Sequence, residues 1–163
     1  MTNLIKKMIE RLTNPAPSIQ LYAVNNKLVV HNTADSPALY VSISSIPIER
    51  SQLVVLEVGE KSSRLYVHSP IVDMVVDFVP VPLVEFNQKV EMQSHLQGAG
   101  PIHTQNLVKE LAVGIPRTDQ DGRRVYPISL TYQSITGSKY TRRYKILVDL
   151  WSADKKLEVI HSI

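Results

Sequence analysis

The stretch ISLTYQSITGSKYTRRYKILVDL, residues 128–150, decides the fold class. Ile128, Leu130 and Tyr132 recur at every second position, the period of a strand with one buried face. Ser134-Ile135-Thr136-Gly137-Ser138 follows, a turn containing glycine. Tyr140, Tyr144, Ile146, Val148 and Leu150 then alternate with Thr141, Arg143, Lys145 and Asp149. Two alternating runs joined by a short glycine-bearing turn predict an antiparallel hairpin with a long return strand. A last short strand is expected over Lys156 to Ile160.

The same period extends upstream. Ile19 to Val24 and Lys27 to Asn32 flank Asn25-Asn26, and asparagine tolerates the positive φ of a tight hairpin turn. Further strand-like runs are Ala38 to Ile43, Gln52 to Val58, Arg64 to His68 and Ile71 to Val79, with Gly59-Glu60-Lys61-Ser62 between two of them. Pro80 and Pro82 mark a sheet edge or corner, because proline removes a ladder donor. Val84, Phe86, Gln88, Val90 and Met92 alternate with Glu85, Asn87, Lys89 and Glu91, which predicts one more strand. Thr104 to Val113 reads as a short helix with Leu107, Val108 and Leu111 on one face, or as an irregular crossover. Asp121-Gly122 marks a further reverse turn.

Short strands broken by turn signals, with no alternation of β and long α segments, predict an all-β antiparallel sandwich. The segment from Tyr132 through Gly137 and Tyr140 to Leu150 resembles the closing hairpin of immunoglobulin-like β-sandwich domains. That resemblance covers 19 of the chain's 163 residues, and the Cys…Trp…Cys signature is absent, since the chain has no cysteine and its only tryptophan is Trp151. A jelly roll like that of viral coat proteins has much the same strand pattern. The expected organisation is an N-terminal helix over residues 1–14 and a single sandwich domain over 18–163.

The N-terminal helix is read from Leu4, Ile5, Met8, Ile9 and Leu12, apolar at helical spacing, with Lys6, Lys7, Glu10 and Arg11 opposite. Asn14-Pro15-Ala16-Pro17 ends it. At about three turns it is marginal alone and needs a surface to dock on. Leu147 and Trp151 extend the outward parity of the long strand beyond Lys145 and form an apolar spot that calls for a cover. These seven apolar residues are the expected contacts with a protein partner.

Composition narrows the function. Of 163 residues, 44% are hydrophobic and 20% charged, a globular balance. The absence of cysteine excludes a disulfide scaffold, a thiolate zinc site and a cysteine nucleophile. No window reaches the roughly 18 apolar residues of a membrane-spanning helix, and Met1 to Leu12 lacks the features of a secretory signal. An intracellular, cytoplasmic protein, free or built into a particle, is the expectation. The net charge of +3 divides into −1 over residues 1–100 and +4 over residues 101–163.

Catalytic patterns are not evident. The five histidines, His31, His68, His95, His103 and His161, form no zinc-binding helical pair; only His95 and His103, around a Gly/Pro loop, invite a metal reading. Asp73 and Asp77 share strand parity and read best as the solvated side of a strand whose other side is Val72, Met74, Val76 and Phe78. Asp119-Gln120-Asp121-Gly122 imitates a calcium loop, but the ligand positions around it fall on Arg117 and Ile128. No phosphate-cradling glycine motif or nucleophile elbow occurs. Neither a cofactor nor enzymatic activity is expected.

The best polar candidate is the basic group Lys139, Arg142, Arg143 and Lys145, with Arg123 and Arg124 nearby in sequence. Lys139, Arg143 and Lys145 share parity, and Tyr140 or Tyr126 would supply stacking surfaces for nucleic acid. Solvation of a long strand explains the same charges without a ligand. The leading expectation is a non-catalytic interaction or assembly module, a structural subunit that meets a protein partner or itself. The alternative is binding of an anionic ligand, nucleic acid or membrane surface through the basic hairpin.

Overall fold

Alternating burial along the strands builds the molecule. Ile19 and Leu21 on one strand and Leu28 and Val30 on the next are at most 5% exposed, while Gln20 and Lys27 face solvent. A computed structural model of the chain describes residues 3–5, 16–59, 63–98, 107–112, 123–149 and 156–162. Its strands are β1 (Ile19–Val24), β2 (Lys27–Asn32), β3 (Ala38–Ile43), β4 (Ile46–Val58), β5 (Ser63–Phe78), β6 (Val81–Val84), β7 (Lys89–Glu91), β8 (Ser94–Gly98), β9 (Arg124–Gln133), β10 (Lys139–Asp149) and β11 (Lys156–His161). A helix, α1, spans Leu107–Ala112, and residues 3–5 are also helical.

The strands pair antiparallel in three sheets, ordered β1-β2-β7, β11-β10-β9-β3-β6 and β4-β5-β8. The arrangement is sandwich-like, without a closed barrel. One buried cluster draws on all three sheets, including Val30, Ile48, Met74, Leu130 and Ile146, and α1 adds Leu107, Val108 and Leu111. The β1–β2 turn holds Asn25 and Asn26 at φ 51° and 61°, the left-handed geometry that asparagine tolerates. The expected β9–β10 hairpin forms, with Tyr132 opposite Tyr140 and Ile128 opposite Tyr144.

Several expectations need correction. Residues 84–92 do not form one strand: β6 ends at Val84, a turn with Asn87 at φ 59° intervenes, and β7 starts at Lys89. The polar turn residues Glu85, Asn87 and Gln88 outweigh the alternation, and Gln88 accepts the Glu85 N–H through its side chain. The runs Arg64–His68 and Ile71–Val79 merge into one strand, β5, which carries Pro70 within it and ends at Phe78. Val72 is not on the side of Met74, Val76 and Phe78; it is 56% exposed while those three are buried. The cause is an irregularity between the pairs Ile48↔Met74 and Glu49↔Val72, which leaves Asp73 as an extra residue and reverses the parity of everything before it on β5. The proline signal is correct: β6, with Pro82, is an edge strand. The helix reading of 104–113 is correct at its centre, and Asp121-Gly122 lies outside the described residues.

Candidate functional site

The irregularity at Asp73 marks where the β4-β5-β8 sheet changes width. Strand β8 pairs with β5 only between Met74↔Gly98 and Phe78↔Ser94. Beyond it β4 and β5 run on as a two-stranded ribbon, from Glu49↔Val72 to Val58↔Ser63. At about 3.4 Å per residue this arm is roughly 30 Å long. Its base is pinned: the Arg50 guanidinium donates through Nε at 2.9 Å to one Asp73 carboxylate oxygen and through Nη2 to the other. Those hydrogen bonds hold the Asp73 carboxyl below its ordinary range and raise the Arg50 pKa.

Both sides of the arm are apolar. Val54, Leu56 and Val58 continue the parity of core residues Ile46 and Ile48 along β4. Because Asp73 shifts the parity of β5, Leu65 and Val67 pair on that same side. Leu56, Val58 and Leu65 are about half exposed, and no charged residue interrupts this side from Gln52↔Ser69 to Val58↔Ser63. The reverse side carries Leu53, Val55 and Tyr66, each near half exposed or more, with Glu57 opposite Arg64 and a Ser51–His68 hydrogen bond of 3.0 Å. The sequence shows these residues as an ordinary β-rich run; the pairing register shows which side each takes, and their exposure sets them apart from the core strands.

The expected partner contacts are distributed differently. Residues 3–5 are helical, with Leu4 63% and Ile5 55% exposed; Met8, Ile9, Leu12 and Trp151 lie outside the described residues. Leu147 is buried at 3% exposure despite its outward parity, beside Val125 and Glu158 on the neighbouring strands.

The basic group separates into two sets. Lys139, Arg143 and Lys145 are exposed on the outer side of β10, and no ion pair with any of them occurs among the described residues. Arg142 does not join them. It has the parity of Tyr144 and Ile146, is half-buried, and donates to the Ser18 hydroxyl at 3.3 Å. Arg123 is engaged with Glu158 at 3.0 Å. The tyrosines proposed for stacking are also committed elsewhere. Tyr140 stacks on buried Tyr132 with ring centres 5.3 Å apart, and the half-buried Tyr126 hydroxyl donates to the Leu111 carbonyl. Burial raises the Tyr126 pKa against the opposing charge of Arg124.

Another tyrosine is free. Tyr40 is 62% exposed and adopts φ 54° on β3, a conformation that costs a bulky residue roughly 1–3 kcal/mol. It sits at the irregularity between Leu39↔Gln133 and Ser42↔Thr131. The hollow that it lines, about 270 Å³, also contains Thr131, Gln133, Lys139 and Thr141. Its signal in the sequence is faint, a tyrosine in an apolar run whose alternation falters.

The remaining polar candidates have local partners. Asp77 accepts from the Ser45 hydroxyl, and His95 contacts the Gln97 side chain at 3.1 Å. Among the described residues no group of three His, Asp or Glu side chains is placed to hold a metal; His103 and residues 119–122 are outside them. No helix among the described residues is long and apolar enough to cross a membrane. No family model, curated protein or solved structure matches this chain.

Proposed function

We propose that the chain is a non-catalytic assembly module, a structural subunit whose β4–β5 arm packs against the arm of a second copy. The carrying observation is the arm itself: a two-stranded ribbon with apolar side chains exposed on both sides. Such a ribbon is marginal in water unless something packs on it. Leu53, Val55, Leu56, Val58, Leu65 and Tyr66 are each 46–59% exposed, and clustered apolar exposure of this kind marks an interaction surface.

Two features favour a second copy as the occupant. The side bearing Val54, Leu56, Val58, Leu65 and Val67 has no charge between Gln52 and Val58 or between Ser63 and Ser69. Two such surfaces meet about a two-fold axis without like-charge conflict. Strand β4 is also an edge strand along its length, and the arm lacks the lysines that commonly guard an open edge.

Sedimentation velocity over a range of concentrations tests this. The intact chain should sediment as a dimer or larger species, with weight rising with concentration. The double variant Leu56→Asp, Leu65→Asp should be monomeric with an unchanged circular dichroism spectrum. A chain that is monomeric at its highest soluble concentration, or a variant that assembles like the parent, would overturn the reading.

A further inference from the structure

We infer that the outer side of the β11-β10-β9-β3-β6 sheet binds single-stranded nucleic acid, with Lys139, Arg143 and Lys145 on phosphates and Tyr40 stacked on a base. The inference concerns a different sheet from the arm and stands or falls apart from it. Strand alternation places the three cations in one line along β10, about 20 Å from first to last. Thr141 lies within the line, and Thr131 and Ser129 face it from β9 as the cross-strand partners of Thr141 and Arg143. Ser42 follows on β3, hydrogen-bonded to Thr131 through their hydroxyls at 2.8 Å. These residues are small and hydroxyl-bearing, so they leave the surface low and supply donors for phosphate oxygens.

Among the described residues no carboxylate occurs on this part of the face. The nearest outward acids, Asp149 and Glu158, sit toward the other end of β10, and Glu158 is occupied by Arg123. The positive field is therefore uncompensated where the hydroxyls and Tyr40 are. Lys139 and Tyr40 line the same hollow, which puts a cation beside an exposed aromatic face. A backbone-tracking cation row with an adjacent stacking ring is the arrangement by which proteins hold unpaired strands, whose bases are free to stack. Duplex DNA hides its bases and is read by elements that enter a groove, which a broad sheet face does not do.

The left-handed backbone at Tyr40 also provides a clean test. Glycine adopts that conformation readily, so Tyr40→Gly removes the ring without straining the chain. Fluorescence anisotropy with labelled short oligouridylate and oligodeoxythymidylate should detect binding by the intact protein. The affinity should fall with salt at a log–log slope of about −2, from three contacts at roughly −0.7 each. Lys139→Ala, Arg143→Ala and Lys145→Ala should each flatten that slope by about 0.7. Tyr40→Gly should weaken binding roughly 5- to 150-fold and leave the slope unchanged. Lys89→Ala, on another sheet, should change neither.

Absence of binding at low salt would overturn the inference, as would binding that the triple substitution of the cations leaves intact. Heparin and vesicles containing phosphatidylserine serve as competing anions. If either binds more tightly than the oligonucleotides and Tyr40→Gly has no effect on any of them, the face is a general anion surface and the nucleic-acid assignment fails.

Discussion

Arg50 and Asp73 face each other across the β4–β5 ribbon as a bidentate pair, at the point where β5 carries one residue more than its partner strand. The pair sits where the three-stranded sheet becomes a two-stranded arm, so it links a local irregularity to the exposed apolar side chains of that arm. The extra residue is also what brings Leu65 and Val67 to the same side as Val54 and Leu56.

Acid should loosen the base of the arm. Hydrogen bonds from Arg50 depress the Asp73 pKa below its ordinary value of 3.8. A carboxyl depressed in the folded state contributes stability above its unfolded pKa, and this is lost as pH falls through the folded value. Amide exchange around Arg50 and Ile71 should therefore accelerate below about pH 4 relative to the core of β9 and β10. Asp73→Asn should remove that pH dependence, and an unchanged profile would show that the pair does not hold the base.

Gly98 closes the same junction from β8. A Cβ there would overlap the Asp73 carbonyl oxygen and approach the Met74 Cγ to 2.9 Å. Gly98→Ala should cost about 1–3 kcal/mol in denaturant unfolding, as overpacking does. Gly59→Ala, at φ 81° with nothing within 4 Å, should show only a backbone cost of about 1–2 kcal/mol.

The long hairpin offers a test of its two sides. Ile146 and Val148 are fully buried, whereas Lys145 is exposed. Ile146→Ala should destabilise by roughly 2–5 kcal/mol, and Lys145→Ala by less than about 0.5 kcal/mol. Chemical denaturation compares them directly, and reversed magnitudes would mean the sides are exchanged.

Asn32 ties two sheets together from a fully buried position. Its amide nitrogen donates to the carbonyls of Ser36 at 2.8 Å and Val84 at 3.0 Å, and its oxygen accepts from the Ala34 N–H at 3.1 Å. Asn32→Asp keeps the size but cannot donate when ionised, leaving both carbonyls facing a carboxylate. It should lower stability by about 1–3 kcal/mol or more at neutral pH and recover part of that in acid. A pH-independent loss would point to shape rather than hydrogen bonding.

Much of the fold is legible in the residues alone. Period-two alternation places Ile128, Leu130, Ile146 and Val148 in the core, and Asn25-Asn26 marks a turn, because side-chain direction in a strand and tolerance of positive φ are local properties. The all-β antiparallel architecture follows from these signals repeated along the chain. What escapes them is pairing. A strand does not record whether a second layer covers it, so Leu53 to Val58 and Leu65 to Val67 read as ordinary strand runs and stand as an exposed arm.

A one-residue irregularity is equally silent in the sequence, yet it reverses every side chain on one side of it. Tertiary structure alone therefore exposed Val72 and joined Leu65 to Leu56. At a second irregularity it turned Tyr40 outward. Strand parity by itself sets Arg142 apart from Lys139, Arg143 and Lys145; the tertiary structure adds its partner, the Ser18 hydroxyl. The residues determined strand, turn and parity because those depend on near neighbours. Register, layer cover and the choice of exposed tyrosine depend on segments distant in the chain, and only their meeting in space decided them.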